Sequence, residues 1–403
     1  MSLNSVPSSE RIHIGFFGCR NAGKSSLLNA VTGQELAVVS DVRGTTTDPV
    51  SKSMELLPLG PVVMIDTPGY DDEGMLGELR IRKTKQTMNK TDIAVLVSDA
   101  KSGLNDYDRE LISFFKEKDI PYLIAFNKCD LLESIPEGRD NFIYVSAVSG
   151  TGIYELKEKI GSLAPAGNGR KIAGDLLSKG DRAVLVCPID ESAPKGRLIL
   201  PQHETIRDVL DADAIAIVTK ETELRETLEG LKCPPRIVIT DSQALKTVSG
   251  IVPDNVPLTT FSILMARYKG FLETAVRGIA AAKNLKDGDT VLMAEGCTHH
   301  RQCNDIGTVK IPRMLTHYCG CSLNFEAVSG TEFPEDLSKY AMVIHCGACM
   351  NTDRDVRYRM KCSIDQGIPF TNYGIALAYL TGTLERTLRF SPMIHELICF
   401  ETQ

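Results

Sequence analysis

No apolar stretch in this 403-residue chain approaches the roughly 18 residues a helix needs to cross a bilayer, so no membrane span is expected. Basic residues are in short supply too: 45 Lys and Arg stand against 52 Asp and Glu, a formal net charge of −7. A general nucleic-acid surface carries a basic footprint, so this balance counts against RNA or DNA as a partner. The opening Met1-Ser2-Leu3-Asn4-Ser5-Val6-Pro7 has neither a basic region nor an apolar core, so no secretion signal is read there and a cytoplasmic location is expected. Cysteine, by contrast, is plentiful. Twelve of them outside an oxidising compartment do not suggest a disulfide framework, and metal binding is the expectation. The length suits two or three domains.

The first chemical motif is Gly18-Cys19-Arg20-Asn21-Ala22-Gly23-Lys24-Ser25, a G-x-x-x-x-G-K-[ST]. The run Arg11-Ile12-His13-Ile14-Gly15-Phe16-Phe17 before it is strand-like, and Ser25-Ser26-Leu27-Leu28-Asn29-Ala30-Val31 after it has helical apolar spacing. In that context the loop amides and the helix N-terminus hold β- and γ-phosphates, Lys24 supplies a point charge and Ser25 a Mg2+ ligand. The expected nucleotide-binding set here is Asn21, Ala22, Gly23, Lys24, Ser25 and Ser26.

Three further segments narrow the nucleotide. Val62-Val63-Met64-Ile65 reads as a buried strand delivering Asp66-Thr67-Pro68-Gly69, a D-x-x-G. Asp66 is expected to hold Mg2+ through water, and the Gly69 amide to sense the γ-phosphate. Tyr122-Leu123-Ile124-Ala125-Phe126 leads into Asn127-Lys128-Cys129-Asp130, an N-K-x-D. A carboxylate at Asp130 accepts from guanine N1–H and the exocyclic amine, which adenine cannot offer. Phe142-Ile143-Tyr144-Val145 then reaches Ser146-Ala147, whose amide is expected on guanine O6. In this order and spacing the segments read as a GTPase, with GTP or GDP and Mg2+ as its ligands.

Thr45-Thr46-Thr47 follows the loop Ser40-Asp41-Val42-Arg43-Gly44, where a Thr completes the Mg2+ shell of the triphosphate state; Thr46 is favoured over its neighbours. The position after D-x-x-G that often carries a water-orienting Gln is Tyr70, so hydrolysis is expected to be slow or assisted. The loop G-x-x-N-A-G-K-S and the following G-T-T resemble those of the tRNA-modification and Era-like GTPases, which also lack that Gln. The resemblance implies that Asn21 helps bind K+ in place of an arginine finger. Thr47 departs from the pattern, since that group usually has Arg there.

Beyond Ala164, Pro165-Ala166-Gly167-Asn168-Gly169-Arg170 reads as a linker. A small α/β unit follows, with strands at Ala183–Ile189, Ala214–Val218 and Arg236–Thr240 and helices at His203–Leu210 and Glu221–Gly230. It has no catalytic constellation, and its near-continuous apolar strands call for another surface, a second subunit or the neighbouring domains. Thr260 to Ala282 reads as one long helix leading through Asp287-Gly288-Asp289 into the last domain.

There, Thr290-Val291-Leu292-Met293-Ala294 ends at Glu295-Gly296-Cys297-Thr298-His299, and Ala341-Met342-Val343-Ile344 ends at His345-Cys346-Gly347-Ala348-Cys349. A third strand is Ile368–Asn372. Parallel α/β sheets gather ligands at the carboxyl ends of their strands, so Cys297 can meet Cys346 and Cys349 despite the sequence distance. Three thiolates and two imidazoles, His299 and His345, admit a closed Cys3His zinc site or a [4Fe–4S] cluster with an open fourth position. Ligand chemistry alone leaves both open. Cys303 is a reserve ligand, Asp305 an oxygen donor for an open iron, and Cys319-Gly320-Cys321 either a second soft site or turn cysteines.

The whole combination, an Era-like GTPase, a middle domain and a C-x-H…H-C-x-x-C domain, resembles the [FeFe]-hydrogenase maturation GTPases, the HydF family. The resemblance implies an α/β chain of three domains: a P-loop GTPase over residues 1–166, a dimerisation domain over 167–260 and a cluster-binding domain over 261–403. It implies Cys297, Cys346 and Cys349 as [4Fe–4S] ligands, with His299 and His345 capping, tuning or transiently ligating the cluster. It further implies a homodimer that carries a diiron subcluster precursor from radical-SAM maturases to apo-[FeFe]-hydrogenase, timed by GTP hydrolysis. Two other readings stand beside it: a tRNA-modification enzyme with a zinc site, and a zinc-stapled regulatory GTPase.

Overall fold

A computed structural model of the chain describes residues 11–33, 49–56, 59–69, 83–139, 141–164, 169–189, 198–296, 305–330 and 332–401. Thr46, Tyr70, Cys297, His299 and Cys303 lie outside the described residues. The chain divides into two compact units, residues 1–168 and 169–403.

The first unit is built on six strands, β1 (Ile12–Phe17), β2 (Val50–Leu56), β3 (Gly60–Asp66), β4 (Ile93–Asp99), β5 (Tyr122–Asn127) and β6 (Phe142–Tyr144), in the order β2-β3-β1-β4-β5-β6. All pairs are parallel except β2 with β3. The central strands are apolar on both faces because helices cover both. On one face Leu27, Leu28 and Val31 of α1 (Lys24–Thr32) pack with Ile14, Phe16, Val95 and Leu123. On the other, Leu111 and Phe115 of α2 (Asp106–Glu117) pack with Phe17, Leu96 and Ile124. A third helix, α3 (Ile153–Ser162), adds Leu156 and Ile160 to the first face. The result aligns the carboxyl ends of β1, β3 and β5, which carry the three nucleotide motifs.

The second unit holds two four-stranded parallel sheets. One contains β7 (Arg182–Val186), β8 (Ile215–Thr219), β9 (Ile237–Thr240) and β10 (Leu258–Thr260) in the order β10-β9-β7-β8. The other contains β11 (Thr290–Glu295), β12 (Asn324–Ser329), β13 (Met342–His345) and β14 (Phe370–Asn372) in the order β12-β11-β13-β14. Counted from its own first strand, each sheet reads 2-1-3-4. Strand order therefore reverses beside the first strand in both, between β7 and β9 and between β11 and β13. Such a switch point opens a crevice at the carboxyl ends. In the first sheet, α4 (Leu200–Asp211), α5 (Leu224–Glu229) and α6 (Leu245–Ser249) make the connections.

The two sheets share a helix. In α7 (Phe261–Tyr268), Phe261, Leu264 and Met265 pack with Leu185 and Ile239, whereas Ile263 and Ala266 belong to the core that holds Val291, Val343 and Phe370. The expected boundary after residue 260 thus falls between β10 and a helix that serves both sheets.

The single long helix expected from Thr260 to Ala282 is instead two, α7 and α8 (Leu272–Ile279). Gly270 takes φ +81°, and the amides of Gly270 and Phe271 turn back to Arg267 O at 3.1 Å and Ala266 O at 3.0 Å. This is a Schellman stop, and it lets Phe271 continue the apolar spacing while the backbone changes direction. Later helices are α9 (Ile311–Cys319), α10 (Asp353–Asp365) and α11 (Tyr373–Leu380).

Candidate functional site

In the first unit the nucleotide motifs converge at the end of β1. The Lys24 ammonium folds over its own loop, donating to Gly18 O at 3.0 Å and Cys19 O at 2.8 Å. Asn21 is exposed and adopts φ +60°, a left-handed turn that Asn tolerates. Ser25 Oγ donates to Asp66 Oδ2 at 2.5 Å, so the two expected Mg2+ residues already touch. The other carboxylate oxygen, Asp66 Oδ1, is buried with no hydrogen-bond partner. Burial raises the Asp66 carboxyl above its ordinary value, against the Ser25 hydrogen bond and the Lys24 charge. A buried, half-satisfied carboxylate beside a serine hydroxyl is a donor set that suits a hard, oxygen-seeking Mg2+. Gly69 packs close on the Arg20 backbone, joining D-x-x-G to the phosphate loop.

Asn127 ties the base-recognition segments to that loop. Its Nδ2 donates to Ala22 O at 3.0 Å, and its Oδ1 accepts from Ala147 N at 3.1 Å. The Ala147 amide expected on guanine O6 therefore lies beside Asn127. Ser146 is fully buried and its hydroxyl oxygen accepts from Val148 N at 3.3 Å and Ser149 N at 3.1 Å, shaping the turn. Lys128 stands at φ +64° and donates to Asp99 Oδ2 at 2.8 Å. Burial pushes the Asp99 carboxyl up, but the Lys128 hydrogen bond and charge together with the Lys101 and Ser102 amides outweigh it, and the net shift is downward. Asp130 is exposed in the short turn Cys129–Leu131, with its carboxylate accessible to a base edge. Ser26 is half-buried in the first turn of α1.

In the second unit the two cysteine motifs end adjacent strands. Ala294 pairs with His345 across β11 and β13, and Cys346 N donates to Ala294 O at 2.8 Å. Gly296, the residue before Cys297, donates its amide to Cys346 Sγ at 3.1 Å, and Ala348 N approaches the same sulfur at 3.4 Å. Burial raises the Cys346 thiol above its ordinary value, while both amides oppose the shift. Two N–H groups aimed at one sulfur stabilise a thiolate, the form that ligates metal. The turn that carries Cys349 passes through Ala348 at φ +59°.

The candidate ligands of the same region divide. His345 is fully buried, with Nδ1 2.9 Å from Cys346 O and Nε2 3.3 Å from Arg359 Nη1. Burial and then the Arg359 charge push its pKa down to about 3, so the ring is neutral and both nitrogens are occupied within the protein. Asp305 caps a helical turn, its Oδ1 accepting from Thr308 N at 2.8 Å and Thr308 Oγ1 at 3.0 Å. Cys319 and Cys321 flank a left-handed Gly320 at the end of α9, with sulfurs 3.0 Å apart. Among the described residues no three His, Cys, Asp or Glu side chains gather as a metal site.

Sequence reasoning missed several buried polar residues around the cysteine loop. Glu295 is buried and accepts from Tyr373 OH at 3.2 Å. Arg359, Asp355, Asn351 and Lys269 are buried beneath the loop. An Asp and an Arg four apart on a helix look the same in sequence whether they face solvent or the core, so no signal distinguished them.

Fold and site together define a P-loop GTPase domain joined to a unit of paired parallel sheets. A family model described as a 50S ribosome-binding GTPase matches residues 13–128. Two others match the second unit: the hydrogen maturase F dimerization domain over residues 172–270 and the hydrogen maturase F tetramerization domain over 273–390. These two together span more than half of the chain, which belongs to the hydrogen maturase F family and carries a GTPase domain. The tRNA modification GTPase MnmE of Nitrosomonas europaea is 35% identical over 171 residues, 41% of this chain and 37% of that protein. The GTPase Der of Wolinella succinogenes is 37% identical over 174 residues, 39% of this chain and 36% of its own length. The chain thus spans under two-fifths of these curated relatives. The crystal structure of an Aquifex aeolicus Era variant bound to GDP and AlF4− matches 52% of this chain and 93% of that one, at 19% identity and a TM-score of 0.35. Among the described residues no helix is long and apolar enough to cross a membrane.

Proposed function

We propose that this chain is a GTP-hydrolysing scaffold that holds a [4Fe–4S] cluster and hands a diiron subcluster precursor to apo-[FeFe]-hydrogenase. Cys297, Cys346 and Cys349 hold the cluster, and the observation that carries this is the Gly296 amide on Cys346 Sγ at 3.1 Å, since it brings the strand ends of both cysteine motifs together. When bound, the cluster supplies an iron with an exchangeable position to which the precursor docks as cargo. The chain's own groups do the rest: two amides stabilise the Cys346 thiolate, and Asp305 stands in the loop beyond Cys297 as an oxygen donor.

In the nucleotide domain, Lys24 neutralises phosphate charge, Ser25, Asp66 and Thr46 hold Mg2+, and Asn127 with Asp130 selects guanine. Hydrolysis is slow because Tyr70 cannot orient water as a Gln does, and K+ held near Asn21 speeds it. The GTP state times exchange between radical-SAM maturases and the hydrogenase. The protein works in the cytoplasm as a homodimer. Support for the dimer comes from the matched dimerization domain and from edge strand β8, where Ile215 and Val218 are 45% and 47% exposed.

The test is iron, sulfide and zinc content with EPR on anaerobically reconstituted protein, beside Cys346→Ala. About four irons per chain and a reducible signal that the variant loses are expected. One zinc and no signal would overturn the cluster and with it the carrier role.

A further inference from the structure

We infer that Arg359 is the positioning residue of the cysteine loop, fixing the His345 tautomer and through it the backbone of Cys346. Arg359 lies outside both cysteine motifs, on α10, and its side chain is fully buried. A guanidinium is tolerated in a core only when its donors are matched. Here Nε donates to Asp355 Oδ1 at 3.4 Å, Nη2 meets Asp355 Oδ2 at 3.2 Å and Gly330 O at 2.5 Å, and Nη1 lies 3.3 Å from His345 Nε2. The Phe333 ring faces the guanidinium at 5.4 Å. One cation thus joins α10 to the residue after β12 and to the last residue of β13.

The contact with His345 assigns a proton. Arginine only donates, so His345 Nε2 must accept, and the neutral ring then carries its hydrogen on Nδ1. That Nδ1–H donates to Cys346 O at 2.9 Å. With its carbonyl held from one side and its amide held by Ala294 O, the Cys346 peptide has little freedom, and its sulfur stays under the Gly296 amide. The other branch of the network reaches Gly296 itself. Asp355 accepts from Asn351 Nδ2, and Asn351 packs on Gly296 so closely that a Cβ there would lie 1.5 Å from Asn351 Oδ1. Lys269 Nζ, also buried, anchors the Asn351 carbonyl at 2.5 Å. Arg359 therefore reaches the cysteine loop from two directions, and an ion pair of purely structural use would need neither.

The inference rests on the cluster reading only for its second readout. First, nitrogen-15 NMR of the full-length apoprotein at pH 7 reads the His345 ring directly. The Nδ1–H tautomer is expected in the wild type; an Nε2–H ring overturns the inference without any variant. In Arg359→Met the ring should exchange between tautomers, and Arg359→Lys should restore the wild-type signal in part. A folded Arg359→Met protein with an unchanged His345 signal also overturns it. Second, in reconstituted protein the cluster midpoint potential should fall in Arg359→Met, because a buried cation beside an anionic site favours the added electron. Arg359→Lys should lie between. An unchanged potential removes Arg359 from any influence on the metal. Wild-type protein that takes up no iron ends the cluster reading, and the tautomer measurement still judges Arg359.

Discussion

The backbone amide of Gly296 donates to the sulfur of Cys346 at 3.1 Å, across the join between two parallel strands that are neighbours in space and some fifty residues apart in sequence. The contact exists because β11 and β13 flank the point where strand order reverses, so their carboxyl ends open into one crevice. The matching crevice of the other sheet, between β7 and β9, ends in Cys187 and Asp241. There the Cys187 thiol is pushed up to about 12 by burial and by the Asp241 charge. Strand order makes the pocket in both sheets and burial raises both thiols, but backbone amides oppose the shift at Cys346 whereas the Asp241 charge adds to it at Cys187.

Replacing Gly296 with Ala tests how tightly that join is packed. The added Cβ would lie 1.5 Å from Asn351 Oδ1, so the Asn351 side chain or the strand end must move. Overpacking of this kind costs about 1–3 kcal/mol. The apoprotein should unfold at lower urea, and iron uptake on reconstitution should fall. Unchanged stability and uptake would show that the loop relaxes freely.

Asp66→Asn should uncouple the nucleotide from Mg2+. The wild-type carboxylate is buried, touches Ser25 at 2.5 Å and has one oxygen without a protein partner. An amide can keep the hydrogen bond to Ser25 and loses the charge that holds the ion. Mg2+ affinity in the GTP complex should drop by roughly 10- to 100-fold, with hydrolysis falling alongside. A Mg2+ titration of GTP turnover reads both, and an unshifted midpoint would remove Asp66 from the ion.

Base choice rests on Asp130, which is exposed at the end of the Asn127 segment. Its carboxylate can only accept, matching the N1–H and amine of guanine. Asn in its place can accept from N1–H and donate to a carbonyl at C2, which xanthine has and guanine lacks. Asp130→Asn should therefore weaken GTP by on the order of 100-fold or more, since a site built for a polar group rejects the analogue without it, and should gain XTP. Competition binding with GTP and XTP decides it; retained guanine preference would move recognition elsewhere.

Much of this was legible because it depends on local chemistry. Apolar runs ending at Asp66, Asn127 and His345 announced buried strands and the residues they deliver. The stop at Gly270 was not legible, because Ile263, Leu264, Phe271 and Leu272 keep a helical rhythm through it and only the backbone turn separates them. Arg359 was invisible for a different reason. Asp355 stands four residues before it on the same helix, but the role of Arg359 comes from Gly330 and His345, which the sheet rather than sequence spacing brings to it.

The last prediction concerns His345 and pH. The folded state holds this imidazole neutral, with its pKa pushed down to about 3 by burial and the Arg359 charge, whereas in the unfolded chain it titrates near its ordinary 6.5. Between those values the unfolded chain binds a proton that the folded protein refuses. Stability from this group is therefore present above pH 6.5 and is lost as pH falls toward 3, by up to about 1.4 kcal/mol per pH unit. Other groups titrate in the same window, so the measurement is a difference. Urea unfolding of wild-type apoprotein and of His345→Gln should be compared at several pH values between 7.5 and 5. The wild type should lose stability faster as pH falls, because glutamine cannot take the proton. Parallel losses would mean that His345 protonates in the folded protein, which would overturn the neutral ring read from burial and the Arg359 contact at 3.3 Å.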